Sequence, residues 1–289
     1  MTADGTFPGP QPRTRYARVL SIAGSDSGGG AGIQADLKTA AALGCYGMTA
    51  ITAITAQNTR GVRAIQALPP ALLVQQIDAV VEDIGVDAVK IGMLHDAEVV
   101  RVVAAAIRRH RFAHVVLDPV MVATSGDRLI TEPTVAVLVA ELFPLATLVT
   151  PNLDEAAWLL GHSIDGIEAL APAARALRAM GAAAALMKGG HLAGDRVVDL
   201  LVDGEHERRW EAARIPSRNT HGTGCTLSTA IACYLALGEP LEAAVAAART
   251  YVRGALAAGV EVRVGAGHGP LNHGFAPRPM VKLPLDDRL

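Results

Sequence analysis

Aromatic residues and cysteines are scarce in this sequence. Phe, Trp and Tyr make up only 3% of its 289 residues, so the apolar half of the composition comes mainly from Ala, Val and Leu. Aliphatic cores of this kind suit helices packed on a parallel sheet. The three cysteines, Cys45, Cys225 and Cys233, form no C-x-x-C pair. Their odd number argues against a disulfide framework and favours a reducing cytosol.

Long apolar runs and blocks of one charge are also missing. No stretch of ~18 uninterrupted apolar residues occurs, so we expect no membrane partner and no membrane span. The formal net charge is −2, from 26 basic and 28 acidic side chains. Without a basic block, nucleic-acid binding has no electrostatic support. The first 16 residues lack the apolar centre of a signal peptide and predict a disordered tail.

Short apolar strands alternate with helical segments along the rest of the chain. A strand at 17–23 runs into a glycine-rich turn at 24–32 and then a helix at 33–43. Continued alternation predicts an α/β fold with a central, mostly parallel sheet covered on both faces. Ligands bind at the carboxyl ends of the strands in such sheets. The predicted organisation is an N-terminal tail at 1–16, one domain at 17–275 and a C-terminal tail at 276–289.

The glycine-rich turn fits neither of two familiar nucleotide-binding motifs. A Walker A loop needs Gly-Lys-Ser/Thr, but no lysine precedes Lys38. The dinucleotide fingerprint G-x-G-x-x-G needs a third glycine where Ile33 stands. No H-E-x-x-H helix, zinc-type Cys/His cluster or G-x-S-x-G elbow is present. P-loop NTPases, metalloproteases and esterases therefore have no local support.

A second glycine-containing segment, 219–226, leads directly into an apolar helix. Gly222 and Gly224 let backbone N–H groups approach a ligand, and the helix N-terminus adds partial positive charge. These features predict a cradle for a phosphate. Cys225 would lie in the first turn, where thiol pKa values fall towards ~3.5–7.5. We expect a thiolate that accepts a proton; the alternative is an ordinary helix start with a small buried cysteine.

Charged side chains follow other predicted strands. Lys188, placed before two glycines, could reach phosphates as a flexible point charge. Asp118 and Glu155 place carboxylates at the same edge of the sheet, where they could hold Mg²⁺ through water. The alternatives are a surface lysine before a turn and, for Glu155, an ordinary acid in the first turn of a helix.

Three further side chains suit recognition of a flat, nitrogen-rich ring. Asp36 follows the glycine-rich turn, and Gln57 and Met93 each end a β-rich segment. A carboxylate and an amide can pair with the ring nitrogen and amino group of an aminopyrimidine, while Met packs on its face. Each residue taken singly is more often structural.

Together these segments resemble the hydroxymethylpyrimidine/phosphomethylpyrimidine kinases. The resemblance spans about residues 17–275 and keeps the family's order of motifs. The matching segments are 23–39, 55–62, 90–94, 117–121, 150–152, 187–191, 219–226 and 267–273.

The resemblance implies a three-layer αβα ribokinase-like fold and a set of site residues. It places the pyrimidine at Asp36, Gln57 and Met93, and Mg²⁺ at Asp118 and Glu155. It places ATP at Asn152, Lys188 and Thr220. The implied anion hole and catalytic groups are Gly222, Thr223, Gly224, Cys225 and Lys188.

The resemblance also implies a substrate. Sugar kinases of this fold carry aspartate where Cys225 stands, which disfavours a sugar. Related pyridoxal kinases often have a second cysteine in the flap over the site, and the flap here, 122–127, has none. The implied activity is MgATP-dependent phosphorylation of 4-amino-5-hydroxymethyl-2-methylpyrimidine and then of its monophosphate, in cytoplasmic thiamine biosynthesis.

Two alternatives stay open at this point. The first is a pyridoxal/pyridoxine kinase of the same fold, which a comparison of kcat/KM for the two acceptors would distinguish. The second is a non-catalytic sensor that binds the pyrimidine, which a failure to produce ADP would favour. The expected partners are small molecules rather than nucleic acid or membrane, and the sequence leaves a homodimer open.

Overall fold

The computed structural model describes residues 13–122, Gly126 and residues 129–285, and this part of the chain consists mainly of strands and α-helices. The strands are β1 (Thr14–Tyr16), β2 (Arg18–Asp26), β3 (Tyr46–Asn58), β4 (Gly61–Ala67), β5 (Ala88–Ile91), β6 (Val115–Leu117), β7 (Leu148–Val149), β8 (Ala184–Met187), β9 (Arg196–Asp203), β10 (His206–Ala213) and β11 (Lys282–Pro284). The α-helices are α1 (Gly32–Ala42), α2 (Pro70–Asp83), α3 (Ala97–His110), α4 (Glu132–Leu142), α5 (Leu153–Leu160), α6 (Leu170–Ala179), α7 (Thr223–Ala236) and α8 (Leu241–Ala257). Among the described residues, no helix combines the length and apolar character needed to cross a bilayer.

A nine-stranded sheet forms the centre of the fold. Its strand order is β10-β9-β8-β7-β6-β5-β2-β3-β4. The neighbouring strands from β8 to β3 run parallel, while β4, β9 and β10 are antiparallel to their neighbours. The predicted, mostly parallel sheet is therefore confirmed.

Helices cover both faces of the sheet and bury two apolar cores. One core includes Ile77 of α2 and Val103 of α3, together with side chains of α4, α5 and α6. The other includes Ile231 of α7 and Val245 of α8, together with side chains of α1. Full burial of each such aliphatic side chain contributes about 1.5–3 kcal/mol. The result is the three-layer αβα arrangement that the resemblance implied.

Helix α3 shows how local sequence fixes an element. The Asp96 side chain accepts hydrogen bonds from the N–H groups of Glu98 and Val99, which caps the helix start. Arg111 ends the helix in the left-handed conformation, with φ of 51°. Loss of such an N-cap typically costs about 1 kcal/mol. The cap and the apolar face together hold α3 against the sheet.

The two ends of the described chain pair with each other. Thr14 and Tyr16 of β1 lie opposite Pro284 and Lys282 of β11 in an antiparallel ribbon. Parts of both predicted tails are therefore strands, because each supplies the other with backbone hydrogen-bonding partners. Residues 1–12 and 286–289 lie outside the described residues. The domain limits of 17–275 stay a prediction.

A buried histidine joins the C-terminal segment to α7. His273 Nε2 lies 3.0 Å from Thr226 Oγ1, and the Tyr251 hydroxyl donates to the His273 carbonyl at 2.7 Å. Burial, assisted by the charge of Lys38, lowers the pKa of His273 to about 4 from its ordinary value of 6.5. The folded protein therefore binds this proton less readily than the unfolded chain. The corresponding stability is present above about pH 6.5 and is lost as the pH falls towards 4.

We expect His273→Gln to flatten the acid dependence of stability. Between pH 7.5 and pH 5 the native protein should lose about 2 kcal/mol more unfolding free energy than the variant. Urea unfolding of both proteins at the two pH values measures this difference. Equal losses in the two proteins would show that His273 does not cause the acid sensitivity.

Candidate active site

A cavity of about 800 Å³ opens at the carboxyl edge of the parallel strands. One end, which we call the ring end, is lined by Gly24, Gln57 and Met93. Its centre is lined by the start of α7 and by charged side chains. Its other end, which we call the far end, lies towards β9 and α8. The volume lies within the range of sites for small molecules, and the position is the one expected for a ligand in such a sheet.

The start of α7 is packed directly on the glycine-rich turn. Gly222 precedes the helix with φ of 84°, and a Cβ at this position would overlap the carbonyl oxygen of Gly30. The Thr223 hydroxyl donates to the Thr220 carbonyl at 2.7 Å, which tightens the bend. The first N–H groups of a helix have no intrahelical acceptor, so α7 can offer them to an anion. The backbone at the predicted phosphate cradle is therefore held in one defined conformation by its packing and hydrogen bonds.

Asp26 ties the two glycine-containing loops together. Its carboxylate accepts hydrogen bonds from the N–H groups of Gly28, Gly30 and Ala31 at 2.8–3.1 Å. His221 Nε2 lies 2.8 Å from the same carboxylate. Burial would raise the pKa of Asp26, but these partners more than offset it and hold the pKa below its usual range. This contact could not be predicted from local sequence, because Asp26 and His221 are 195 positions apart.

We expect Gly222→Ala to disable the cradle. Its backbone must leave the left-handed region or push Gly30 away, and both displace the N–H groups that would face a phosphate. Turnover should fall on the order of 10²-fold or more, in line with the loss of an anion-stabilising donor. Steady-state kinetics on folded protein measures the effect.

Gly274→Ala is a suitable control. A Cβ at Gly274 would meet nothing within 4 Å, and this glycine is exposed. If both alanine variants keep native turnover, the close packing at Gly222 has no catalytic consequence.

Three charged side chains meet at the centre of the cavity. Lys188 Nζ lies 2.7 Å from Asp118 Oδ1 and 3.7 Å from Glu155 Oε2. Thr150 Oγ1 donates to the same Asp118 oxygen at 3.2 Å. Burial would lower the pKa of Lys188, but the two carboxylates raise it overall. The structure thus brings together the lysine and the carboxylates that the sequence predicted.

Glu155 has two roles in the geometry. Its Oε2 accepts the Asn152 N–H at 2.8 Å, and Asn152 Oδ1 accepts the Glu155 N–H at 2.8 Å. This capping box starts α5, so Glu155 does have the structural role of an acid in the first turn of a helix. The same carboxylate also faces Lys188. Burial raises the pKa of Glu155 to about 7, opposed by Lys188 and increased by Asp118.

The donor set at the centre suits Mg²⁺ held largely by water and substrate. Among the described residues, no group of three or more His, Cys, Asp or Glu side chains could hold a metal ion. Asp118 and Glu155 line the cavity and offer only two carboxylates. Mg²⁺ commonly keeps several waters and binds through one or two carboxylates plus phosphates. Asp118 and Glu155 therefore suit a Mg²⁺ ion whose other ligands are water and phosphate, and they do not form a complete set of protein ligands.

The predicted ring-binding residues do not all reach the cavity. Gln57 and Met93 line the ring end, but Asp36 does not and is only 1% exposed. The Asp36 carboxylate instead accepts hydrogen bonds from Ser21 Oγ at 2.5 Å and Thr229 Oγ1 at 2.7 Å. A third partner, Lys90, lies 2.8 Å away. The prediction that Asp36 grips a ligand is corrected here, because buried donors engage both of its oxygens.

Cys225 lies in the first turn of α7, half-buried, with its side chain on the cavity. The expected low thiol pKa is wrong for this structure. Burial raises the pKa of Cys225 to about 11, with Asp36 and Asp118 adding to the rise. Lys90 and the N–H of Gly32 act in the opposite direction and do not offset it. The side chain of Cys225 is therefore a protonated thiol near neutral pH in this structure.

The far end contains residues that sequence reasoning missed. Apolar side chains and Trp158 form part of its wall. Asp199 accepts the N–H of Gly189 at 2.9 Å and pairs with Arg249 at 2.6 Å, which fixes the turn just after Lys188. Arg214 donates to the carbonyl of Gly190 at 2.8 Å in the same turn. Each is a single residue in an ordinary strand, helix or loop, so no local pattern marked it.

Other predicted residues also reach the cavity. Thr220, Asn152 and the segment Gly222–Gly224 line it. In the predicted flap at 122–127, residues 123–125 and 127 lie outside the described residues. The ligand roles assigned to all these residues stay predictions.

A three-layer αβα fold whose central sheet has a helix start, a lysine and two carboxylates at its carboxyl edge defines a phosphotransferase of the ribokinase-like fold. The chain belongs to the phosphomethylpyrimidine kinase family, whose model matches residues 26–272. The resemblance drawn from the sequence is confirmed.

Two curated relatives show the extent of this similarity. The chain is 54% identical to a hydroxymethylpyrimidine/phosphomethylpyrimidine kinase of Rhizobium meliloti, covering 89% of this chain and 97% of that protein. It is 52% identical to a thiamine biosynthesis bifunctional protein of Geobacter sulfurreducens, covering 91% of this chain. The chain spans about half, 53%, of the length of that bifunctional relative.

Solved structures confirm the fold. An ADP complex of a pyridoxal kinase from Bacillus subtilis superposes with a TM-score of 0.83 at 35% identity, covering 90% of this chain and 98% of that one. A phosphomethylpyrimidine kinase from Clostridium difficile superposes with a TM-score of 0.73 at 42% identity, covering 82% and 97%.

Proposed function

We propose that this kinase transfers the γ-phosphoryl group of ATP to the hydroxymethyl group of 4-amino-5-hydroxymethyl-2-methylpyrimidine, and then phosphorylates the product's phosphate, in thiamine biosynthesis. One observation carries the proposal: a single cavity joins a ring end, a centre in which Lys188 and two carboxylates lie beside the start of α7, and a far end towards β9 and α8. Such a cavity can hold an acceptor and a nucleotide with the transferring phosphorus between them.

The geometry supports direct in-line transfer. The acceptor oxygen bonds to the γ-phosphorus, the bond from that phosphorus to the bridging oxygen breaks, and ADP leaves. Lys188 and the N–H groups at the start of α7 stabilise the charge on the transferring group. Cys225 orients the acceptor hydroxyl and, once its own proton has been lost, takes up the hydroxyl proton.

Mg²⁺ belongs to the proposal as well. Asp118 and Glu155 are the residues that would hold it, through water, and when bound it supplies neutralising charge to the phosphates. In this arrangement Lys188 also keeps the two carboxylates close together, since its ammonium lies within 3.7 Å of both.

A second candidate is phosphorylation of pyridoxal. It is favoured by the close superposition on a pyridoxal kinase. Met93 and Gln57 would accept either flat ring, so the shape of the ring end alone does not separate the two substrates. Relatives named for the pyrimidine match this chain at higher identity, which favours the first proposal.

A coupled ADP assay tests these proposals. The panel is the hydroxymethylpyrimidine, its monophosphate, pyridoxal and ribose, each with MgATP. We expect ADP with both pyrimidines and a kcat/KM for hydroxymethylpyrimidine at least tenfold above that for pyridoxal. A higher kcat/KM for pyridoxal would replace the first proposal by the second, and no ADP with any acceptor would favour the sensor.

The setting of the reaction is also a proposal. All three cysteines are free thiols, as expected for a protein of the reducing cytosol. Association into a homodimer stays a prediction, which the molar mass in solution would test.

A further inference from the structure

Lys90 is among the largest fully buried side chains of the described residues, with 0% of its surface exposed. It lies in β5, within the apolar sequence Ala-Val-Lys-Ile. Its ammonium lies 2.8 and 3.0 Å from the two oxygens of Asp36. Burial would lower the pKa of Lys90, but Asp36 more than offsets this and raises it, so Lys90 stays protonated.

An ion pair of this kind is a costly way to fill a core. Removing two charges from water opposes folding, and well-packed apolar residues of similar volume are often as stabilising or more so. The mechanism above assigns neither Lys90 nor Asp36 a contact with a substrate. Stability alone therefore gives a weak reason for their presence, and their position offers a better one.

The pair is attached to the helix that carries Cys225. Thr229, which lies one turn after Cys225 on α7, donates to Asp36 Oδ1 at 2.7 Å. Ser21 of β2 holds the other Asp36 oxygen at 2.5 Å. Lys90 and Cys225 both contribute to the lining of the cavity, and their charges interact. The ion pair thus lies between the sheet and α7, where the positive charge of Lys90 acts on the sulfur of Cys225.

We propose that Lys90 is a positioning residue for the transfer reaction: held by Asp36, it is a fixed positive charge beneath Cys225 that stabilises the sulfur as an anion. This inference rests on the proposed function and assigns the buried pair a role in it. When the thiol loses its proton to water, the sulfur keeps the electron pair. That pair then accepts the proton of the acceptor hydroxyl as the oxygen bonds to phosphorus and ADP departs.

Other charges around the sulfur do not supply this role. Asp36 of α1 and Asp118, which follows β6, both raise the pKa of Cys225. Lys188, which follows β8, also acts on the sulfur, but its ammonium is 2.7 Å from Asp118. Lys90 has the largest lowering influence on the thiol pKa. Its charge is also the one that no substrate phosphate is expected to engage.

Two variants separate this role from a structural one. Lys90→Met keeps the length of the side chain and removes the charge, but it leaves Asp36 buried without a counter-ion. Asp36→Asn/Lys90→Met removes both charges and leaves a neutral, hydrogen-bonded core. If Lys90 only neutralises Asp36, the double variant restores native behaviour. If its charge serves Cys225, the double variant folds but stays impaired.

The first readout needs no substrate. The rate of alkylation by iodoacetamide is followed from pH 6 to pH 10, and the mass of the labelled peptide identifies the cysteine that has reacted. Cys45 and Cys233 are buried, so we expect the label at Cys225. Below the thiol pKa the rate is proportional to the thiolate fraction. We expect the rate at Cys225 to fall on the order of tenfold in Lys90→Met, which corresponds to about one pKa unit. A smaller fall is expected in the double variant, since loss of the Asp36 charge partly compensates.

The second readout is turnover. In both variants kcat for the hydroxymethyl acceptor should fall by a factor similar to the fall in alkylation, while KM for ATP changes little. Native alkylation in Lys90→Met, native behaviour in the double variant, or slowed alkylation with native kcat would each overturn the inference. If Lys90→Met does not fold, the double variant decides alone. Because alkylation is measured without substrates, it remains decisive for Lys90 even if the acceptor proves to be another molecule.

Discussion

Cys225→Ala should lower kcat for the hydroxymethyl acceptor by about 10²–10⁴-fold, the usual contribution of a positioned proton acceptor. The side chain is small and lines the cavity, so its truncation leaves α7 and the cores intact. Binding of ATP should survive, because Lys188 and the N–H groups of α7 are unchanged. Pre-steady-state transfer rates and ATP titration measure the two effects separately.

The second phosphorylation provides an internal comparison. Its nucleophile is a phosphate oxygen, which is already ionised near neutral pH because the second pKa of a phosphate monoester is about 6. Cys225→Ala should therefore slow this step less than the first. Equal losses in both steps would contradict the role of Cys225 as proton acceptor. Cys45→Ala is the matched control, since it removes a buried thiol that lies outside the cavity.

Lys188→Met should lower kcat on the order of 10²–10³-fold or more, because it removes a preorganised cation from the position where phosphoryl charge develops. The change has a second effect on the resting site. Without the ammonium, the pKa of Glu155 should rise above its present value of about 7, since Lys188 is the charge that opposes burial there. Glu155 would then hold a proton over more of the neutral range.

Two quantities are measured in the variant and in the native protein. The first is turnover at saturating ATP, and the second is the number of protons bound near neutral pH, which reports the protonation of Glu155. Lys282→Met is the matched control, because Lys282 lies in β11 and is exposed, far along the chain from the cavity lining. Native kcat in Lys188→Met would show that the α7 amides stabilise the transferring group without help from this cation.

The order of elements followed from the sequence with small errors at their ends. The helix predicted at 33–43 matches α1 to within one residue at each end, and the strand predicted at 17–23 continues to Asp26 in β2. The extension arises because Ser25 and Asp26 pair with Ile54 and Thr55 of β3. Pairing with a partner strand supplies backbone hydrogen bonds that no local propensity encodes.

The site was predicted in outline but not in its electrostatics. Lys188, Asp118 and Glu155 do meet, because each lies just beyond a strand of the same sheet. The state of Cys225 was mispredicted, since its pKa depends on burial and on charges distant in sequence. Lys90 was overlooked for the same reason: its partner Asp36 lies 54 positions earlier.

The ribbon of β1 and β11 has a practical consequence. It leads into the starting end of β2, and Leu285 donates its N–H to the Arg13 carbonyl at 3.2 Å. Both ends of the described chain therefore emerge side by side on the face opposite the cavity mouth. Tethering at either end of the described chain, to a solid support or to another enzyme, should leave substrate entry unobstructed. A short linker between residues 13 and 285 would likewise suit circular permutation, with new ends opened in a loop away from α7.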